Sequence, residues 1–196
     1  MKTVVLQNED LDLELSVNVI DSWNEITLEK YFELSDLELK LNQELDIDID
    51  NILDKIVLLS DAKRSDLNNY SVLELSKIVD ILSSFGDINK FDVPEFIMIN
   101  DIMYIPKKNI INLTSAEVIY IKQMQKNSKS NMDVSLSVLS ILVRPGYKKE
   151  VDGKIKYIQY PLEDSEIEER KKLFLSSLKI TETLPLLDFF LNGIKG

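Results

Sequence analysis

The chain has no cysteine and no histidine, and its 196 residues include only 5 glycines and 5 prolines. Without cysteine there is no disulfide framework, no thiol nucleophile and no thiolate-bound zinc or iron–sulfur cluster. Without histidine the commonest general base and the commonest transition-metal ligand are missing, and a Ser-His-Asp triad cannot be assembled. So few glycines leave no phosphate-cradling loop. No stretch reaches the roughly 18 uninterrupted apolar residues of a membrane span. The N-terminus has one lysine and no apolar run ending in a small-residue cleavage site, so it reads without a signal peptide. What remains is carboxylate, lysine or tyrosine chemistry, or none, and no cofactor or metal is expected.

Hydrophobic residues make up 44% of the chain and charged residues 29%, enough to build a core. Lys+Arg number 23 against 34 Asp+Glu, a formal net charge of −11. That sign argues against sequence-independent nucleic-acid binding and against an anionic membrane surface, both of which need clustered cations. A basic protein partner remains compatible with it. The length suits one domain over 1–196, with 126–131 (Lys, Asn and Ser without apolar residues) as the place where it could subdivide.

Periodicity predicts a helix-dominated α+β chain of about six helices, with β-hairpins near 3–19, 95–106 and 148–160. Leu11, Leu13, Leu15, Val17 and Val19 alternate with polar residues, as in a strand with one buried face. Thr3–Leu6 pairs with it in the first hairpin. Ser22-Trp23-Asn24-Glu25 has capping-box spacing, with Thr27 as an alternative cap for a helix carrying Leu28, Tyr31, Phe32 and Leu37. Helices follow at about Asn51–Leu59 and from Ser71 to near Gly86, with a short helix or turn at 63–69 between them. Asn100-Asp101 separates two β-prone runs bracketed by Pro94 and Pro106. Thr114-Ser115-Ala116-Glu117 opens a further helix. Another runs over 132–143 and is stopped by Arg144-Pro145-Gly146. Asp152-Gly153 turns the third hairpin. Ser71-Val72-Leu73-Glu74 and Thr114-Ser115-Ala116-Glu117 are also capping boxes, and Ser165-Glu166-Ile167-Glu168 is a fourth, for a helix to about Leu178. The last helix spans about Thr183–Asn192, with Pro185 in its first turn and Gly193 as C-cap.

Several motifs invite a chemical reading and lose it on inspection. Asp46-Ile47-Asp48-Ile49-Asp50 resembles the start of a calcium loop, but the required Gly and Glu positions hold Asn51 and Val57, so it reads as a solvated acidic face. Glu163, Asp164, Glu166, Glu168 and Glu169 precede Arg170, Lys171 and Lys172, the layout that the helix dipole favours. Asp152-Gly153-Lys154 lacks the first Gly and the Ser/Thr of a P-loop and reads as a hairpin turn. Asn112-Leu113-Thr114 matches a glycosylation sequon, but Thr114 serves better as a helix cap.

The candidate protein-interface residues are aromatic. Tyr147, Tyr157 and Tyr160 lie near Lys148, Lys149, Lys154 and Lys156, the chain's one basic-aromatic neighbourhood. Trp23 and the pair Phe189-Phe190 are further anchors, because aromatics dominate interface hot spots. Each competes with a bland reading: a lysine-bearing surface hairpin for the tyrosines, and core packing for Trp23 and the phenylalanines.

The order of these pieces carries a resemblance. A β segment leads into Ser22-Trp23-Asn24-Glu25-Ile26-Thr27-Leu28 and Tyr31. Helices, the hairpin Phe96–Pro106 and the helix start Leu113-Thr114-Ser115-Ala116-Glu117 come next. Then come Ile141-Leu142-Val143-Arg144-Pro145, an Arg170-containing helix and a Phe-rich tail. The chain resembles small tailed-phage proteins encoded among virion and tail-assembly genes, including those of crAss-like Bacteroides phages. The resemblance implies a non-enzymatic structural or cargo protein of the virion, near the tail or portal, or a tail-assembly chaperone absent from the finished particle. It also implies multiple copies, partners among tail, portal or capsid proteins, and a location in the virion and in the host cytoplasm during assembly.

Overall fold

The computed structural model describes residues 1–41, 49–85, 91–128 and 130–194. The chain is α+β and helix-dominated, with eight α-helices and two small antiparallel sheets among these residues. The helix count exceeds the expected six. Arg64–Leu67, read in the sequence as a short helix or turn at 63–69, is a single helical turn. The chain groups into two units, Met1–Ile88 and Asn89–Gly196. The stretch 126–131, where the sequence suggests a subdivision, lies inside the second unit. The acidic excess is uneven. Residues 1–88 hold 7 Lys/Arg against 20 Asp/Glu, whereas 89–196 hold 16 against 14.

In the first unit, β1 (Lys2–Asn8) and β2 (Leu13–Val19) form a hairpin with Val4 opposite Val17 and Leu6 opposite Leu15. Val4, Leu6, Val17 and Val19 are buried, but Leu11 and Leu13 are exposed, because the turn end of the hairpin projects beyond the layer that covers its root. Trp23–Glu25 is a 3-10 turn in which Ser22 makes no side-chain cap. The α-helix starts later, at α1 (Leu28–Leu41), and Thr27 is its cap: the Lys30 N–H donates to Thr27 Oγ1 at 3.4 Å. α2 (Ile49–Leu58), α3 (Arg64–Leu67) and α4 (Val72–Ser83) complete the unit. The calcium-like stretch falls partly outside the described residues at 46–48, and Ile49 and Asp50 open α2. α4 ends at Ser83 with Ser84 as its C-cap, just before the expected stop near Gly86, which itself lies outside the described residues.

Two polar clasps tie the hairpin to the helices. Asn18 donates its backbone N–H and its side-chain amide to Asp61 (both 2.8 Å), and the Asp61 N–H returns to the Asn18 carbonyl at 3.2 Å. Ser71 caps α4 by accepting from the Glu74 N–H. The Glu74 carboxylate accepts the Gln7 N–H at 2.8 Å, so it binds α4 to β1.

In the second unit, β3 (Ile97–Ile99), β4 (Ile102–Pro106), β5 (Val143–Val151) and β6 (Lys154–Gln159) make one sheet in that order. Asn100-Asp101 and Asp152-Gly153 each have positive φ at both central positions, the twist that suits two-residue hairpins. Arg144-Pro145-Gly146 is not the expected stop. α6 (Asn131–Leu142) passes straight into β5, and Arg144 and Pro145 pair with Ile105 and Tyr104 of β4. This pairing fuses the second and third hairpins into a single sheet.

α5 (Ser115–Asn127) carries the full capping box: Thr114 Oγ1 accepts from the Glu117 N–H, and the Glu117 carboxylate accepts from the Thr114 N–H. α7 (Ile167–Ser177) has no such box at Ser165; Asp164–Glu166 is a 3-10 turn and Glu166 caps without a side-chain bond. α8 (Ile180–Ile194) starts earlier than expected, so Pro185 sits inside the helix and Gly193 lies within it rather than beyond it. The core of this unit is centred on residues 136–143 with Phe174, Leu186 and Phe190.

Candidate interaction surface

The root of the four-stranded sheet is pinned by a buried polar network. Glu117 is fully buried at the first turn of α5. Its Oε1 accepts from Arg144 Nη2 at 2.6 Å, and its Oε2 accepts from Lys107 Nζ and the Thr114 N–H, each at 2.7 Å. Arg144 also donates to Gln159 Oε1 at 2.9 Å. Gln159 in turn donates to the carbonyls of Ile105 (2.5 Å) and Leu142 (2.8 Å). The network therefore joins α5, α6, β4, β5 and β6. Burial pushes the Glu117 carboxyl up. The Lys107 hydrogen bond, the Thr114 N–H and the Arg144 charge outweigh it, and the group is held below the usual carboxylate range. Glu117 is thus an ionised acceptor at neutral pH, fitted to hold strands together and not to donate protons.

Gly146 completes this root. A Cβ there would lie 2.2 Å from the Ile158 carbonyl oxygen and 2.5 Å from Ile105 Cδ1. Only glycine lets β5, β6 and Ile105 approach so closely. On the other face, Tyr104 meets Phe174 of α7 edge-on at 5.3 Å. With both faces covered at the root, the outer part of β5–β6 stands exposed.

The register sorts the outer side chains into two faces. Tyr147 opposes Ile158, and Lys149 opposes Lys156; Lys148 opposes Tyr157 on the reverse side. Tyr147 and Tyr160 come together, ring centroids 5.7 Å apart, and are 42% and 51% exposed. They border a groove of about 650 Å³ with Met98, Ile102, Met103 and Pro145. Tyr157 lies on the opposite face against Phe96 (5.4 Å), with Lys108 Nζ 5.9 Å above its ring. There it borders a second cleft, of about 590 Å³, with Lys107, Ile155 and Gln159.

The other expected anchors are elsewhere. Trp23 is half-buried in the first unit and packs edge-on against Phe85 at 5.1 Å. Phe189 is half-buried on α8, and Phe190 is fully buried, so Phe190 is core and presents nothing to a partner. Of the six candidates, then, only Tyr147 and Tyr160 share one surface. Met98 and Ile102, 52% and 47% exposed beside them, were not anticipated as site residues. The sequence signal for them is the pair of apolar runs, Phe96–Ile99 and Ile102–Ile105, on either side of Asn100-Asp101, which a two-stranded hairpin alone cannot bury.

Among the described residues no group of three or more acidic side chains is placed to hold a metal, and no helix is long and apolar enough to cross a membrane. No protein-family model, no curated protein and no solved structure matches the chain.

Proposed function

We propose that this chain is a non-enzymatic bacteriophage protein, a structural or cargo component carried in the virion in the tail or portal region. On this reading it is present in multiple copies and docks to tail, portal or capsid proteins through the Tyr147–Tyr160 surface. The carrying observation is that surface itself. Two exposed tyrosines, two methionines and an isoleucine sit on strands whose root is locked by Glu117, Arg144 and Gly146. Rigid aromatics give large contact area at small entropic cost, and methionine adapts to a partner's shape. A pinned scaffold lowers the cost of ordering the surface on binding. The phage setting is supported by the resemblance in element order.

A second reading is a tail-assembly chaperone that leaves before the particle is complete. The strongly acidic first 88 residues favour it, since net charge keeps a carrier soluble. Quantitative mass spectrometry of gradient-purified particles separates the two. A virion component appears at a fixed copy number per particle. A chaperone is present in infected cells and absent from particles.

A further inference from the structure

The β5–β6 hairpin carries Lys148, Lys149, Lys154 and Lys156, and none of the four makes an ion pair among the described residues. Lys149 and Lys156 stand directly opposite each other across the strands. Like charges in that position destabilise a hairpin, and a bound anionic surface reverses the penalty. The first unit has the complementary feature. Glu29, Glu33 and Asp36 recur at i, i+4 and i+7 along α1, a stripe of like charge that also weakens its helix. Glu33 and Asp36 line a groove of about 430 Å³ whose apolar side is Leu37, Val57 and Leu58. An aromatic, lysine-bearing hairpin and an acid-rimmed apolar groove match in both charge and polarity.

We infer that copies of this chain associate head to tail, the β5–β6 hairpin of one copy docking on the α1–α2 groove of another. The inference rests on β5–β6 being a docking surface and adds a second copy of this chain to the partners that surface takes. The opposed net charges of the two units, 7 basic against 20 acidic residues and 16 against 14, steer this encounter and orient it. The contact is heterologous, so it propagates into a ring or a filament, the form a multi-copy component takes. A nucleic-acid ligand for the same lysines is disfavoured, because it would leave the acid-rimmed α1–α2 groove without a partner, whereas a second copy fills both surfaces; the net charge of −11 opposes either partner alike at long range.

The test is sedimentation velocity of the full chain over a concentration series, at about 50 mM and about 500 mM NaCl, on either side of strong screening. Two charge-swapped proteins accompany it: Lys149→Glu with Lys156→Glu, and Glu33→Lys with Asp36→Lys. The expected result is concentration-dependent association of the wild type at low salt, lost at high salt. Each swapped protein alone associates at least about tenfold more weakly, and an equimolar mixture of the two recovers assembly. Circular dichroism establishes that both are folded; should either fail to fold, the wild-type salt and concentration series decides alone. A wild type that stays monomeric at low salt overturns the inference. So does assembly that survives either swap, or a mixture of folded variants that stays dispersed. Salt-sensitive retention of a single-stranded 20-mer without self-association also overturns it and assigns the lysines to nucleic acid. Particle mass spectrometry is independent of all these outcomes, so failure here leaves the virion reading to its own test.

Discussion

Glu117 and Arg144, 27 residues apart in sequence, meet at 2.6 Å with both side chains shielded from water. The pair fixes the first turn of α5 to the start of β5. Lys107 and Gln159 extend it to the end of β4 and to β6. The exposed tyrosine surface projects from this root.

Removing one member of a buried, hydrogen-bonded ion pair leaves the other charges uncompensated. Glu117→Ala should cost about 3–5 kcal/mol, measured by urea unfolding. Glu117→Leu combined with Arg144→Met should cost less than Glu117→Ala alone, because no unpaired guanidinium remains buried.

Acid should destabilise the fold, with a defined sign. Glu117 is held below its ordinary value of 4.5 by Lys107, the Thr114 N–H and Arg144, against burial. In the first unit Asn18 lowers Asp61, and Lys77 with the Gln7 N–H lowers Glu74. In each case the unfolded chain takes up its proton first. The stabilisation is therefore present above the unfolded value and is lost as pH falls through the lower folded value. The melting temperature should be steady around neutral pH, where a chain without histidine has little to titrate. It should decline below about pH 4.5. Thermal melts by circular dichroism read this directly, and a step centred between about pH 6 and 8 would count against it.

Gly146→Ala should destabilise the second unit by about 3 kcal/mol or more, at the upper end of overpacking costs. The obstacle at 2.2 Å is a backbone oxygen of β6, which cannot move aside as a flexible side chain can. Gly153→Ala tests a different principle. Nothing lies within 4 Å of a Cβ there, so its smaller cost comes from the positive φ of 72° alone. Urea denaturation ranks the two.

Much of the fold is legible in the sequence. Alternation marked the first hairpin, Asn100-Asp101 and Asp152-Gly153 marked the other two turns, and Thr114–Glu117 behaved as a capping box should. Arg144-Pro145-Gly146 misled because its local signal is a helix stop, and the same residues are also a strand. Proline gives up its N–H there, but its carbonyl still accepts from the Tyr160 N–H at 2.8 Å. Joining two hairpins into one sheet is a long-range event that no window of residues records. The buried Glu117–Arg144 pair escaped for the same reason. A single arginine closing the apolar run Ile141-Leu142-Val143 was the one local sign that it needed an internal anion. Phe190 and Tyr160 were equal as aromatic candidates in sequence. Burial separates them, and burial is set by tertiary packing.

The central claim is that the Tyr147–Tyr160 surface docks this chain into a phage particle. The most direct test complements a phage lacking the gene with wild type or with Tyr147→Ser/Tyr160→Ser, and counts copies per purified particle by mass spectrometry. The account predicts a fixed copy number for wild type and a fall of about tenfold or more for a variant of unchanged melting temperature. Wild-type copy number for that variant, or absence of both proteins from particles, would contradict it.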